Sequence, residues 1–222
     1  MTSKHLKPKF KLYSLICLLS IAFISESVGA RTTFKPAQIA QQQSTQPDGT
    51  EAAAKKAFNE GMTLYKQGTA ESLRQAIVKW EQALKLWSKV PSKAEKAKTL
   101  VWLGFVYSSL GEKQKALEFY NQALPILRAV GDKGGEATTL NNIGGVYDSL
   151  GKKQKALEFY NQALPLRRAV GDKGGEAGTL NNIGLVYSSL GEKQKALEFY
   201  NQALPILRAV GDKGGEATTL NN

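Results

Sequence analysis

The sequence is poor in the residue types that most often do chemistry near neutral pH. It contains one histidine, His5, and one cysteine, Cys17, and both lie within the first 30 residues. Imidazole is the usual general base, thiolate is a strong nucleophile, and both are common zinc ligands. The other candidates are carboxylates, lysines and hydroxyls, and no pair of them stands in an unusual setting. We therefore expect no enzyme activity, no catalytic residue, no metal and no cofactor.

Residues 1–30 have the three zones of an export signal. Four lysines precede an apolar run of thirteen residues, 12–24, and the segment ends with the small residues Val28 and Ala30. Such a run spans only about 20 Å as a helix, less than the ~30 Å hydrocarbon core of a membrane. We predict a signal peptide cleaved after Ala30, no stable membrane span in the mature chain, and a location in the periplasm, the cell envelope or the medium. Retention as an uncleaved amphipathic anchor is the alternative.

The charge is basic but dispersed. The formal net charge is +11, and removal of residues 1–30, with four lysines and one glutamate, would leave +8. The cations alternate with acids, as Lys113 and Lys115 do with Glu112 and Glu118. This pattern fits a solvated repeat surface, or an electrostatic preference for acidic partners. We do not expect nucleic acid as a partner, because there is no basic run and no nucleic-acid motif.

A repeat of forty residues dominates the rest of the chain. Residues 137–176 and 177–216 differ at six of forty positions, and residues 106–142 are identical to residues 186–222. Self-similarity at this period predicts a solenoid, in which each unit packs on its neighbours. Residues 31–50 are polar and rich in Gln, Thr and Pro, which predicts a flexible spacer with folded structure beginning near residue 51.

Each unit has the pattern of two helices. In the unit that begins at Ala137, apolar residues at i, i+3 and i+4 spacing predict a helix A, which Gly151 ends, and then a helix B, which Gly171 ends. Small residues, Gly144 and Ala156, are expected where the two helices cross, with Tyr147 and Tyr160 filling the space beside them. Pro165 predicts a kink in helix B, with a break at Leu164 as the alternative.

The segment GDKGGE, which begins at Gly131, is predicted to connect one unit to the next. Gly131 would end helix B, and Asp132 would cap nearby backbone N–H groups. Gly134 and Gly135 would let the chain turn into the next helix A.

The order of large, small and aromatic residues in each unit resembles the tetratricopeptide repeat. The match falls on Leu140, Ile143, Gly144, Tyr147, Gly151, Ala156, Tyr160 and Ala163, and on the residues forty positions before and after them. The resemblance implies an all-α, right-handed superhelical solenoid of antiparallel helix pairs. It divides the chain into repeats at 97–136, 137–176 and 177–216, a degenerate N-terminal repeat at 51–96, and the start of a further repeat at 217–222.

The degenerate repeat carries a group of tryptophans. Trp80, Trp87 and Trp102 are expected to fill the core and the cap of the array, with a ligand box as the alternative. Its deviations fit a terminal unit, one face of which meets water.

The unit of forty residues differs from the usual thirty-four of the family. It resembles the repeats of kinesin light chains and Pins-type adaptors, and those of exported bacterial, notably cyanobacterial, arrays. Many of the latter carry a caspase-like CHAT domain.

Pairs of asparagines on helix A are the candidate ligand contacts. They form two predicted rows along the concave face, Asn141, Asn181 and Asn221 in one and Asn142, Asn182 and Asn222 in the other. An amide offers a donor and an acceptor, which suits a peptide backbone. Hydrogen bonds to a neighbouring repeat are the alternative role. The family's carboxylate clamp requires a Lys and an Asn one turn apart on helix A. It is not expected here, since Asn141 is followed one turn later by Gly145.

These patterns predict a non-enzymatic scaffold that binds an extended peptide or partner segment in its groove. The alternative is the regulatory N-terminal part of a larger enzyme, such as a CHAT peptidase, whose catalytic domain would follow Asn222. Nearly identical units could also pair end to end with a second copy.

Overall fold

The computed structural model describes the backbone of residues 36–222 and the side chains of residues 49–222. Over this part of the chain the structure has nine α-helices and no strand, which confirms the all-α prediction. The helices are α1 (Pro36–Gln67), α2 (Ala70–Trp87), α3 (Lys93–Ser109), α4 (Lys113–Val130), α5 (Lys133–Ser149), α6 (Lys153–Ala169), α7 (Lys173–Ser189), α8 (Lys193–Val210) and α9 (Lys213–Asn221). The predicted signal peptide, residues 1–30, lies outside the described residues and stays a prediction.

The first helix begins earlier than the sequence suggests. The expected spacer covers residues 31–50, whereas α1 begins at Pro36. The alanines that follow Glu51 are strong helix formers, and extending a helix that has already formed costs far less than nucleating one. Proline is also well suited to the first position of a helix, where its missing N–H has no partner to lose.

The helices stack in chain order. The odd-numbered helices are the A helices and the even-numbered ones the B helices. Each A helix from α1 to α7 packs most extensively on the B helix that follows it. Each B helix then contacts the next A helix, and successive A helices touch one another from α3 to α7. Contacts that run only between neighbours define a solenoid, so this part of the prediction is confirmed.

Glycine lets the two helices of a repeat approach closely. A Cβ atom added to Gly104 would lie 2.6 Å from the Tyr120 ring, and one added to Gly144 would lie 2.6 Å from the Tyr160 ring. The tyrosine ring therefore lies directly on the backbone of helix A, as predicted for Tyr160. Tyr147 stacks on Phe159, with ring centroids 5.4 Å apart, and packs against the buried core.

The connector between repeats is shorter than predicted. Gly131 has the expected left-handed conformation, with φ of 72°, and the Asp132 side chain caps α5 by accepting a hydrogen bond from the Gly135 N–H at 2.8 Å. Gly134 and Gly135, which were expected to form the turn, lie in the first turn of α5. Gly135 is required for space, since a Cβ there would lie 2.8 Å from Leu127 Cδ2.

The B helices continue through their prolines. Pro125, Pro165 and Pro205 lie inside α4, α6 and α8, so the alternative of a break at Leu164 is wrong. Pro165 is exposed, and Asn161, the residue whose carbonyl loses its helical donor, is exposed too. Water can hydrate that carbonyl, which lowers the cost of a proline at this position.

The tryptophans belong to the packing of the first two repeats. Trp80 and Trp87 are buried, and the Trp80 Nε1–H donates to the Phe58 carbonyl at 3.1 Å. Trp102 packs beside Trp80, with ring centroids 5.7 Å apart, but it remains partly exposed. The role of core filler is thus seen for Trp80 and Trp87, while Trp102 reaches the surface.

Candidate functional site

The asparagine pairs lie on the A helices, between buried residues. Leu140 and Ile143 are buried in α5, and Asn141 and Asn142 stand between them in sequence and are half-buried. Asn181 and Asn182 have the same exposure in α7, whereas Asn221 and Asn222, at the end of α9, are exposed. The helical period places each pair beside the core face, at the junction with the neighbouring A helix.

The asparagines of adjacent repeats are hydrogen-bonded diagonally. The Asn182 Nδ2–H donates to Asn141 Oδ1 at 3.3 Å, and the Asn222 Nδ2–H donates to Asn181 Oδ1 at the same distance. The Thr179 hydroxyl also donates to Asn141 Oδ1, at 3.2 Å. The two predicted rows are therefore coupled, and the structure contains the contacts to a neighbouring repeat that the sequence left as an alternative.

These bonds leave some amide groups free. Among the described residues, no hydrogen bond uses Nδ2 of Asn141 or Asn181, or Oδ1 of Asn182. Each coupled pair thus keeps a donor on one repeat and an acceptor on the next. Both types of group are needed to bind the N–H and the C=O of an extended backbone.

Asn142 has a different environment because it lies near a buried tyrosine. Burial raises the pKa of the Tyr120 hydroxyl, and a hydrogen bond from the Asn142 side chain opposes that shift. Whether either row contacts a ligand stays a prediction.

An aromatic surface precedes the asparagines along the array. Trp102 and Phe105 of α3 occupy the positions that Asn142 and Gly145 have in α5. They pack against Tyr65 of α1, with ring centroids 5.2 Å and 5.9 Å from it, and all three side chains are partly exposed. Sequence analysis missed Tyr65 and Phe105 as candidate site residues. The signal was the aromatic residues Trp102 and Phe105 at repeat positions that hold Asn142 and Gly145 in the next repeat.

Ion pairs connect the ends of α4, α6 and α8 to the start of the A helix that follows each of them. Nε of Arg128, Arg168 and Arg208 lies 2.6, 2.7 and 2.6 Å from Oε1 of Glu136, Glu176 and Glu216. The Glu176 side chain is only 6% exposed. Burial by itself would raise the pKa of Glu176, but hydrogen bonds from Arg168 and Lys173 outweigh it, so the pKa is lowered.

Neither a membrane-spanning helix nor a metal-binding cluster is found among the described residues. In residues 36–222 no helix is both long and apolar enough to cross a membrane. Within the same part of the chain, no group of three or more His, Cys, Asp or Glu side chains is placed to hold a metal ion.

Family models of the tetratricopeptide repeat match most of the helical region. One matches residues 54–129 and 99–169, and another matches residues 177–207. The chain belongs to the tetratricopeptide repeat family. Tetratricopeptide arrays are typically non-enzymatic scaffolds for protein–protein interactions. No curated protein matches the sequence.

Solved structures show the same fold at low sequence identity. Aspartyl phosphate phosphatase F from Bacillus subtilis is 15% identical, with a TM-score of 0.71 over 76% of this chain and 44% of that one. BtubC (BKLC) from P. vanneervenii is 20% identical, with a TM-score of 0.63 over 83% and 84%. A Rap protein, in a complex with competence and sporulation factor, is 23% identical, with a TM-score of 0.59 over 69% and 42%. This tetratricopeptide chain spans less than half the length of the phosphatase and of the Rap protein.

Proposed function

We propose that this tetratricopeptide array captures an extended segment of a partner protein along the face of its A helices. The observation that carries the proposal is the set of unused amide groups, Nδ2 of Asn141 and Asn181 and Oδ1 of Asn182. They recur from one repeat to the next, as the polar groups of an extended backbone recur along a peptide. Asn142, Asn221 and Asn222 belong to the same proposed contact surface.

The partner would be held mainly through its backbone. Each hydrogen bond contributes about 0.5–1.5 kcal/mol net, so several in register are needed for a stable complex. Half-buried amides suit this role because a bound peptide would displace little water from them and would shield the bonds from solvent. The aromatic surface of Tyr65, Trp102 and Phe105 supplies an apolar anchor point at the other end of the groove.

The similar Rap protein lends support to the proposal. Its structure is described as a complex with competence and sporulation factor. An array of this fold can therefore hold a factor, and we extend that capacity to the present chain. The alternative function, as a regulatory part of a larger enzyme such as a CHAT peptidase, gains no support from the described residues and stays a prediction.

A double substitution tests the asparagine contacts. A peptide selected for binding from a random library should bind the Asn141→Ala, Asn181→Ala variant at least about tenfold more weakly, since two or more hydrogen bonds are lost. The variant also loses three internal bonds of 3.2–3.3 Å. Because these bonds are long and partly solvated, we expect a fall of only about 1–2 kcal/mol in the free energy of unfolding.

The matched control changes asparagines of the B helices. Asn161 and Asn201 are exposed on α6 and α8, so Asn161→Ala with Asn201→Ala should leave peptide affinity unchanged. Fluorescence anisotropy of the labelled peptide measures both variants. Equal affinity for the native chain and the A-helix variant would reject the proposed contacts, and so would a larger loss in the control.

A further inference from the structure

A small cavity opens beside the asparagines of α7. It has a volume of about 150 Å³ and is bounded by α7, the end of α8 and the start of α9; the residues that matter here are Gly178, Asn181, Leu207, Asp212, Gly215 and Thr219. Gly178 stands where the preceding repeat has Thr138 and the following one has Thr218, and a Cβ at this position would meet no atom within 4 Å. The missing side chain leaves the space between α7 and α9 open next to Asn181.

The preceding junction shows what fits such a space. Arg167 of α6 stands at the repeat position of Leu207, and its Nη1–H donates to Asp172 Oδ2. The other carboxylate oxygen of Asp172 caps α7 by accepting from the Gly175 N–H at 2.9 Å. The Arg167 side chain is only 13% exposed, so its guanidinium fills the junction.

The later junction has the carboxylate but lacks the cation. Asp212 Oδ1 accepts a hydrogen bond from the Gly215 N–H at 2.8 Å, as the equivalent oxygen does in the preceding repeat. Leu207 replaces the arginine, and no cation of the described residues forms an ion pair with Asp212. Arg208 and Lys213, the nearby cations, pair with Glu216 instead. The second oxygen of Asp212 is therefore left without the partner that Asp172 has.

We propose that this cavity binds an arginine side chain of the captured partner segment, with the guanidinium paired to Asp212. This inference rests on the proposed function, because Asn181 both lines the cavity and belongs to the groove. A guanidinium matches a carboxylate in charge and in the geometry of its N–H donors. The incoming arginine takes the place that Arg167 occupies within the chain one repeat earlier.

The basic character of the protein opposes this ligand only weakly, because Arg208 and Lys213, the cations near Asp212, are paired with Glu216. The net charge of +11 is dispersed, and charges beyond a Debye length of about 8 Å are largely screened at physiological salt. Among the residues that line the cavity, Asp212 is the sole charged one. The partner segment should therefore carry an isolated arginine in an otherwise uncharged stretch.

Two capped peptides test the arginine. Both consist of alanine and serine around one central residue, which is arginine in the first peptide and citrulline, its neutral isostere, in the second. NMR titration of the full chain, followed through the amide signals of Asp212 and Gly215, should give about tenfold tighter binding of the arginine peptide. Equal affinities, or no binding of either peptide, would overturn the proposal.

Three variants assign that preference to the cavity. Asp212→Asn removes the charge but keeps an N-cap acceptor, since Asn caps helices as well as Asp does, and it should abolish the preference. Leu207→Arg should also abolish it, by placing the chain's own guanidinium against Asp212. Asp132→Asn is the matched control, since Lys98 stands there at the position of Gly178, and it should keep the full preference. A preference that survives Asp212→Asn would exclude this site.

A fourth variant separates this inference from the proposed function. Asn141 lies outside the cavity. If the groove binds the peptide backbones, Asn141→Ala should lower the affinity for both peptides by the same factor. If Asn141→Ala changes neither affinity while the preference for arginine persists, the groove proposal fails and the cavity stands. If Asn141→Ala weakens the binding of both peptides, but the native chain binds the two peptides with equal affinity, the cavity proposal fails and the groove proposal stands.

Discussion

Neighbouring glycines in α5 have opposite environments. A Cβ added to Gly144 would lie 2.6 Å from the Tyr160 ring, whereas one added to Gly145 would lie 3.6 Å from the Tyr160 hydroxyl, an ordinary contact distance. Gly144 is thus fixed by the crossing of two helices. Gly145 faces a half-exposed surface and has room for a side chain, as Leu185 shows at the same position of the next repeat.

We predict opposite effects of alanine at these two glycines. Gly144→Ala should lower the free energy of unfolding by about 1–2 kcal/mol, because overpacking against Tyr160 costs more than helix propensity returns. Gly145→Ala should raise it by about 0.5 kcal/mol, because alanine is the better helix former. Urea denaturation measures both changes. If the Gly144→Ala variant had the same free energy of unfolding as the native chain, Tyr160 would not lie on the backbone of α5.

At the scale of the elements, the junction between a B helix and the next A helix depends on a half-buried ion pair. Glu176 lies 2.7 Å from Arg168 Nε and 3.0 Å from Lys173 Nζ. The two side chains of the pair differ in exposure, since the glutamate is buried and Arg168 is about half-exposed. Its contribution should therefore exceed that of a surface pair but remain near 1 kcal/mol.

The lowered pKa of Glu176 gives this junction a pH dependence of known sign. In the unfolded chain glutamate titrates near pH 4.3, and in the folded chain it titrates lower, so the unfolded state binds more protons in between. The stability from Glu176 is therefore complete above about pH 4.3 and is lost as the pH falls through the folded pKa. Asp172, whose pKa the Gly175 N–H lowers, adds a loss of the same sign.

Glu176→Gln should remove part of this acid sensitivity. Near pH 7 the variant should be about 1 kcal/mol less stable than the native chain, and the difference should shrink as the pH falls below 4. Thermal unfolding across this range measures it. Glu158→Gln is the control, because Glu158 is exposed and has no ion pair in the described region. A constant difference at all pH values would rule out the ionised Glu176 as the cause.

The fold of the whole molecule was largely predictable from the forty-residue period of its sequence. Forty-residue self-similarity and the i, i+3, i+4 pattern predict helix pairs, and Gly144 with Tyr160 predicts where they cross. The diagonal bond between Asn141 and Asn182 was not predictable, because it joins residues 41 apart and depends on the rotation between repeats. The Asp212 cavity was not predicted either. It depends on which side chains surround Asp212 in the folded chain, where Leu207 stands at the repeat position of Arg167.

The start of α1 and the turn at Gly134 and Gly135 differ from the sequence-based expectation for a different reason. Glycine and polar residues favour loops on average, but helix elongation and the Asp132 cap extend the helices into these segments. The preference of single residues for loops has little effect where a neighbouring helix has already been nucleated. The sequence therefore located the helices correctly and misplaced some of their ends.

The central claim is that the A helices, and not the B helices, form the binding face of the array. Amide NMR of the labelled chain, titrated with a peptide selected for binding, tests it most directly. The account predicts the largest shifts in α5 and α7, including the side-chain amides of Asn141 and Asn181, with little change at Asn161 and Asn201. Shifts concentrated on α6 and α8 would contradict it.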